Sequence, residues 1–444
     1  PKPDADVIVI GAGLSGLNAA VLLQDAGLDV LIVEADQRIG GRIRTLDDAP
    51  GRPEAGGSEI GAGYARVRDM VSRIGGLEFT RWLDLIDMSF ALNIDGTLMN
   101  GSDWAGSPVN LLPEAERNTG PMGPFGLPMI YLAKEMPLPQ LDSWLSPDAE
   151  QYDVPFDQYL RSLGASDEAV RLMASQVPSE TVAGVSALWQ LRAARYQGAV
   201  GSLQELESLK QGASRLPEGM AAMLDRDIRL GSPVSGIATE RDDVTLTLAD
   251  GTRLRAAHCI CTAPLTILRQ MQFSPALPEL QAEAFAQVPQ GHNVSVYLHV
   301  KEPYWEEDGL PASLWTNQGI GRLFRYQGES GYYLWMNRSV SDPATRALDD
   351  ESLMALSLRQ LHAARPSTEG RVEATAVMNW SQHPWLLGHI AYRAPGQIRR
   401  YGNIVADAHG RIHFAGDHTA VLNLGMEGAM ESGERAALEV LQRI

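Results

Sequence analysis

The stretch from Asp6 to Glu34, DVIVIGAGLSGLNAAVLLQDAGLDVLIVE, decides how the whole 444-residue chain is read. Val7 to Ile10 form an apolar run that ends in Gly11-Ala12-Gly13-Leu14-Ser15-Gly16. An Ala- and Leu-rich stretch with helical spacing follows, stops at Gly27 and gives way to a second apolar run, Val30 to Val33. Strand, glycine turn, helix and strand make a βαβ unit. Gly11 permits the tight turn, Gly13 lets backbone approach a pyrophosphate, and Gly16 lets the helix lie close to the sheet. The helix N-terminus offers unpaired N–H groups and the positive end of its dipole to an anion. Glu34 closes the second strand at the distance where a carboxylate accepts from ribose hydroxyls. An acid there argues against a 2′-phosphate, hence against NADP, while NAD and FAD both suit the unit; a purely structural βαβ turn is the competing reading.

Length and composition set the outer bounds. The chain is long enough for two domains sharing a large core, and its hydrophobic fraction of 44% is that of an ordinary soluble protein. Lys plus Arg number 37 against 55 Asp plus Glu, a net charge of −18 that disfavours nucleic acid and anionic membrane as partners and mildly concentrates small cations. No run approaches the ~18 apolar residues that span a bilayer. The chain begins at Pro1 rather than Met, so removal of a start or of a leader is expected, and the residues fit a soluble protein that is cytoplasmic or exported. Cys259 and Cys261 sit two apart in an apolar run; in a strand both face one side and cannot bridge, so neither a disulfide framework nor a metal site is indicated.

Beyond the opening unit, Arg38-Ile39-Gly40-Gly41-Arg42 and then Glu54-Ala55-Gly56-Gly57-Ser58-Glu59 pair glycines with charge, suiting a loop where backbone passes a flat or phosphorylated ligand. The residues around Asp95-Gly96, between Phe90 and Met99, read as a hairpin. Residues 105–145 read as loops with short helices, and 155–207 as helical, with Phe156, Tyr159, Leu160 and Leu163 on one stripe and Leu188, Trp189, Leu191 and Arg192 on another, stripes that suit a core. A short helix is expected from Arg215, then strands at Ile228–Leu230, Val234–Thr239, Val244–Leu248 and Leu254–Thr262. Val294 to Val300 alternates, and further strands are expected at 313–316, 321–326, 332–337 and 372–379, making one mixed or antiparallel sheet. Near the end, Arg411 to Ala415 reads as a strand running into Gly416-Asp417, and Gly425-Met426-Glu427-Gly428-Ala429 opens a small-residue helix able to approach a ligand.

In combination these motifs closely resemble the flavin monoamine oxidase family, which includes polyamine and L-amino-acid oxidases. The resemblance rests on the order G-x-G-x-x-G, Glu34-Ala35, Arg38 to Arg42, and Glu54 to Gly57. It continues through Cys259-Ile260-Cys261-Thr262-Ala263-Pro264-Leu265, Val300 to Trp305, Asn379-Trp380, Ala394-Pro395-Gly396 and the closing segment from Arg411 to Leu441. It covers almost the whole chain. It implies an α/β fold, a Rossmann-like FAD-binding domain (1–80, 206–285 and 398–444) interleaved with a substrate domain of mixed sheet plus helices (81–205 and 286–397). It also implies FAD held by Gly11, Gly13, Leu14, Ser15, Gly16, Glu34, Ala35, Arg42, Gly56, Gly57, Ser58 and Val234, together with Trp380, Gly416, Asp417, Gly425 and Met426. Asp417 is expected to accept from the ribityl chain. The implied reaction is oxidation of a primary amine by hydride transfer to flavin N5, giving an imine that water hydrolyses, with O2 reduced to H2O2. A homodimer is compatible with the residues.

Three departures from the family pattern concern the chemistry. Relatives carry a lysine ten residues before Trp305; here that place is Ser295, which keeps an amine dehydrogenase with another electron acceptor open, and Lys301 is expected on the surface. Where relatives hold a cage wall and, in some, the cysteine that bonds FAD, this chain has Gly388-His389-Ile390, so FAD is expected to be non-covalent; Gly425 replaces the second cage tyrosine, which suggests an open cage and a bulky or long aliphatic amine. Trp380 is retained, and His389 is a cavity group or a satisfied loop histidine. Glu59 replaces a cavity aromatic and is read as a receptor for a distal cation or hydroxyl, against a solvated loop acid. Tyr64 stands where amino-acid oxidases place a carboxylate-clamping arginine, with Arg66 and Arg68 nearby.

Overall fold

The computed structural model describes residues 3–121, 127–133, 136–174, 177–328, 330–339 and 342–444. Residues 122–126 and 134–135, within the stretch read as loops with short helices, lie outside the described residues. Among those described, two large sheets carry the molecule.

The first is a seven-stranded sheet built around Ala5–Ile10, which lies between Val30–Val33 and Arg253–Cys261, both parallel to it. Its central strand is apolar without alternation because both of its faces are covered: Val7, Ile8 and Val9 are fully buried. Arg253–Cys261 is long enough to serve two partners, antiparallel to Val244–Leu248 at its start and parallel to Ile412–Phe414 at its end. Val234–Thr239 and Gln272–Ser274 complete the sheet. The sequence expectation of a strand at Ile228–Leu230 is corrected: Arg229 makes only a single bridge to Val33, so the segment passes the sheet edge without extending it. Cys259 and Cys261 are free and buried in this sheet.

The second sheet has eight strands, with Val372–Asn379, Asn293–Val300, Gly331–Ser339, Arg322–Gly328, Ser313–Thr316, Phe90–Ile94 and Thr97–Asn100 side by side and Ile86–Asp87 against Arg322–Gly328. Its hairpin turns at Asp95 and Gly96 with φ of +50° and +85°, the pair of left-handed residues that matches the twist of the flanking strands. The helical segment is broken into Phe156–Ser162, Asp167–Met173 and Ala187–Val200, and its apolar stripes form one core with Trp144, Phe90 and Trp315. Arg192 is buried in that core with its guanidinium 4.4 Å from the Trp144 ring and 4.7 Å from Trp189, and it donates to the Ala420 carbonyl at 2.8 Å. Trp144 Nε1 donates to the Val421 carbonyl at 2.9 Å, so the helical layer fixes the loop that leads into the last helix.

That last helix, Gly425–Leu441, crosses the first helix, Leu14–Asp25, in direct backbone contact. A side chain at Gly433 would land on the Ser15 carbonyl, Ser15 Oγ meets Ser432 Oγ at 3.0 Å, and Asn18 Nδ2 donates to the Met430 carbonyl at 2.8 Å. Ser432 and Gly433 therefore serve the crossing, while Gly425, Met426 and Ala429 face the cleft described below. Alanine has a better helix propensity than glycine by about 1 kcal/mol, but overpacking at this contact costs roughly 1–3 kcal/mol, so Gly433→Ala is expected to lower the melting temperature by a few degrees in thermal unfolding.

Candidate functional site

A cavity of about 490 Å3 runs from the glycine turn of the first sheet to one face of the second. At the turn, Gly11 has φ of +102°, and a side chain there would occupy the position of Thr262 Oγ1, which itself donates to the Ile10 carbonyl at 2.7 Å. Gly16 is needed for a related reason: its Cβ would fall on the Gly11 carbonyl, so the first helix starts flush against the turn. Gly13 caps that helix with no side-chain acceptor, leaving the N–H groups of the first turn for a ligand. Gly11, Gly13, Leu14 and Ser15 all line the cavity, as do Glu34 and Ala35 and, on the opposite wall, Val234. Glu34 is buried and accepts from the N–H of Ala12 at 2.6 Å and of Asp36 at 2.8 Å; burial raises its pKa against those two hydrogen bonds. One oxygen braces the glycine turn and the other the backbone at Asp36, and their remaining lone pairs are what a ribose would meet.

Arg42 joins three distant segments. Its guanidinium pairs with the Asp417 carboxylate and donates to the His389 carbonyl, and its own carbonyl sits where any side chain at Gly56 would have to go. Burial by itself would raise Asp417, but the Arg42 charge, helped by His418, outweighs it and holds the carboxyl below its usual range. Asp417, Gly416, Gly56, Gly57 and Ser58 face the cavity together. The last helix begins beside them: Leu424 caps it without a side-chain acceptor, Gly425 has φ of +57°, and a Cβ on Gly57 would touch Ile43 at 3.1 Å and Met426 at 3.3 Å. Two uncapped helix N-termini from opposite ends of the chain thus open into one space.

The rest of the wall is aromatic and polar. Trp380, fully buried, donates from Nε1 to the Ala55 carbonyl at 2.9 Å and presents one side to the cavity. Beside Gly425 stands Tyr64, its hydroxyl 3.9 Å from where a Cβ at that position would be, with Tyr196 packed behind it at 6.3 Å between ring centres. Tyr64 and Gly425, from distant segments, thus line the same stretch of the cavity. Arg66 and Arg68 do not line the cavity; they pair with Glu427, Glu434 and Glu207 instead. His389 lines it, its ring making no hydrogen bond among the described residues, and burial plus the neighbouring Arg42 pushes its pKa down to about 4. It is therefore the cavity group of the two sequence alternatives, and neutral at pH 7. Lys301 is at the surface near Glu373.

From the second sheet, Ser295, Trp335, Asn337, Arg322 and Phe324 point into the cavity. Ser295 Oγ accepts from Trp335 Nε1 at 3.0 Å, which is what the buried hydroxyl does in place of a lysine. Glu59, exposed toward the same space, has its pKa raised by the desolvating protein around it while Arg322 opposes the rise. Arg322, Asn337 and Trp335 were not among the residues singled out from sequence. Alternation along Arg322 to Tyr326 would have put Arg322 and Phe324 on one face, though not shown which face met the ligand.

The model of flavin containing amine oxidoreductases matches residues 14–441. The chain belongs to this family. It is 27% identical to human flavin-containing amine oxidase B, over 98% of this chain and 86% of that one, and 26% identical to an L-amino-acid oxidase of Siganus canaliculatus, over 98% and 85%. Among solved structures, cyclohexylamine oxidase from Brevibacterium oxydans superposes with a TM-score of 0.81 at 25% identity, and putrescine oxidase bound to putrescine with 0.81 at 23%, each over 99% of both chains. The recognition made from sequence and the α/β architecture stand. The family's cofactor, FAD, suits what the cleft offers: a side-chain-free turn, two uncapped helix N-termini and a salt-bridged carboxylate. Neither cysteine lines the cavity, so no thiol is at hand to bond the flavin.

The Arg42–Asp417 pair gives a pH-dependent expectation. A carboxyl whose folded pKa lies below its unfolded value of about 3.9 adds stability that is complete above that value and is lost as pH falls through the folded one. Arg42→Met should therefore destabilise the protein by roughly 1–3 kcal/mol at pH 7 and weaken FAD retention, with the deficit against the unsubstituted protein shrinking below about pH 4 in denaturant titrations.

Proposed function

We propose that this flavoenzyme oxidises a primary amine carried by a bulky or long aliphatic compound. The observation that carries this reading is the continuity of the nucleotide cleft with a chamber walled by Tyr64, Phe324, Trp335 and Trp380. The solved neighbours act in name on cyclohexylamine and putrescine, both primary amines, which supports the same class. Bound in the cleft, FAD would take a hydride at N5 from the amine-bearing carbon. The balance is amine plus water plus O2 giving carbonyl compound, ammonia and H2O2.

The chain's own residues supply the setting. The hydride leaves only from a neutral amine, because protonation removes the lone pair that drives its departure. Water-excluding aromatic walls lower the dielectric around the amine and so favour its neutral form. His389, held unprotonated, adds no positive charge to repel the substrate and has a ring nitrogen free to accept from its ammonium. The uncapped last helix, with Gly425 and Met426 at the cavity, would offer N–H groups and a positive dipole end to a bound flavin. Glu59 is assigned to the substrate's tail, as the receptor for a cation or hydroxyl at its far end.

A second reading, an amine dehydrogenase that passes electrons to another acceptor, is favoured by Ser295 in place of a cavity ammonium. Anaerobic mixing with primary amines should bleach the oxidised-flavin band, and O2 should then restore it with one H2O2 per turnover. Bleaching without recovery would select the dehydrogenase; a protein that no amine bleaches would defeat both readings. Ser295→Lys is expected to speed reoxidation about tenfold, the effect of some 1.4 kcal/mol, without changing the anaerobic step, as stopped-flow absorbance would show. For Glu59→Gln the KM ratio of a diamine to its matched monoamine should rise several-fold; an unchanged ratio removes Glu59 from tail recognition.

A further inference from the structure

We propose that Arg322 is the receptor for a carboxylate at the far end of the substrate amine, so that the preferred substrates are amines that also bear a carboxylic acid. This names the substrate class of the site discussed above and rests on that amine-oxidising reading.

The placement comes from strand register. Arg322 pairs directly with Asn337 on the adjacent strand, and Asn337 pairs directly with Ser295 on the next. Directly paired residues project from the same face, so Ser295, Asn337 and Arg322 form a row across three strands, and all three line the cavity. Two strand spacings separate the ends of the row, about 10 Å between backbones. A substrate stretched along this face has a hydroxyl, an amide and a guanidinium in succession.

Arg322 lines the cavity half-buried, with its side chain unpaired. The fully buried Arg365, by contrast, has its charge met by Asp308, with Nε and Nη2 each at 2.9 Å from a carboxylate oxygen. The Arg322 side chain makes no hydrogen bond or ion pair to any described residue, and its one charged neighbour, Glu59, lies beyond the 4.0 Å of an ion pair. A desolvated guanidinium with open donors is costly unless an anion completes it, and its planar fork fits a carboxylate with two parallel hydrogen bonds. Glu59 narrows the choice of anion. A carboxyl group already shares the space, so a singly charged carboxylate is better tolerated there than a doubly charged phosphate. With Glu59 present, the far end of the chamber also suits a carboxylate accompanied by a cationic or hydroxyl group.

The cofactor's phosphates are not the anion in question, because the uncapped first helix and glycine turn that suit them are built from the other sheet. Contact of Arg322 with the flavin ring itself is separated by experiment. The holoenzyme is reduced anaerobically with ω-amino carboxylic acids of increasing chain length and with the matching ω-amino amides. At the best length the acid is expected to reduce the flavin with a kcat/KM roughly 30-fold above its amide, the range of a charge-assisted hydrogen-bond pair. Arg322→Gln should remove that preference while leaving the amide within about threefold and the flavin content and spectrum unchanged; Arg322→Lys should restore part of it. Equal rates for acid and amide in the unsubstituted enzyme, or an Arg322→Gln enzyme that loses both alike or loses its flavin, overturn the assignment. If Arg322→Gln does not fold, the acid-to-amide ratio of the unsubstituted enzyme and of Arg322→Lys decides. Neutral amines that bleach the flavin while every acid fails refute only the role of Arg322; a flavin that no amine bleaches refutes the amine reading beneath it.

Discussion

The backbone contact between the first and last helices is the constraint on which the rest depends. A helix N-terminus attracts an anion only if its own side chains do not cap it, and the first and last helices, which open into the cavity at Gly13 and at Leu424, carry no side-chain cap. Each end alone exposes polar backbone without compensation. Locked together by Gly433 against Ser15 and by the Ser15–Ser432 hydroxyl contact, they aim into one cleft where a single extended ligand can satisfy both. The same serine ties in the glycine before Asp417, since Ser432 Oγ accepts from the Gly416 N–H at 2.9 Å.

Around that crossing, buried charges are used as rivets between segments far apart in sequence. Arg42 holds Asp417 and the His389 carbonyl, Arg192 holds the carbonyls of the loop before the last helix, and Glu427 accepts from the N–H groups of Arg66 and Val67 at 3.0 and 3.1 Å. Each couples a wall of the cavity to the crossing, so the cleft and the chamber keep one geometry. The walls of the chamber differ in kind from those of the cleft. They are side chains on a sheet face, where cross-strand register rather than backbone dipole decides what a ligand meets.

Much of the fold was legible because its signals are local. The opening βαβ unit declares itself by an unbroken apolar strand and a glycine turn, and the hairpin at Asp95-Gly96 by the two residue types that tolerate left-handed backbone. The failures share a cause as well. Ile228–Leu230 has the composition of a strand but finds only one bridge, because pairing depends on where the sheet edge lies. Tyr64 comes to stand beside Gly425, a neighbour that spacing along the chain cannot reveal. Small residues in the last helix signal close approach without saying to what: Ser432 and Gly433 meet the first helix, whereas Gly425 and Ala429 meet the cavity.

By itself the sequence determined the nucleotide unit, the family and the identity of most groups along the cleft, since these follow from short motifs whose geometry is fixed by neighbouring residues. Tertiary structure alone decided that His389 faces the cavity, that Arg66 and Arg68 are engaged elsewhere, and that Arg322 stands in a row with Asn337 and Ser295. The physical reason is that a side chain's charge is written in the chain, whereas its partner, its solvation and the face it occupies are set by strand register and by which segments the core brings together.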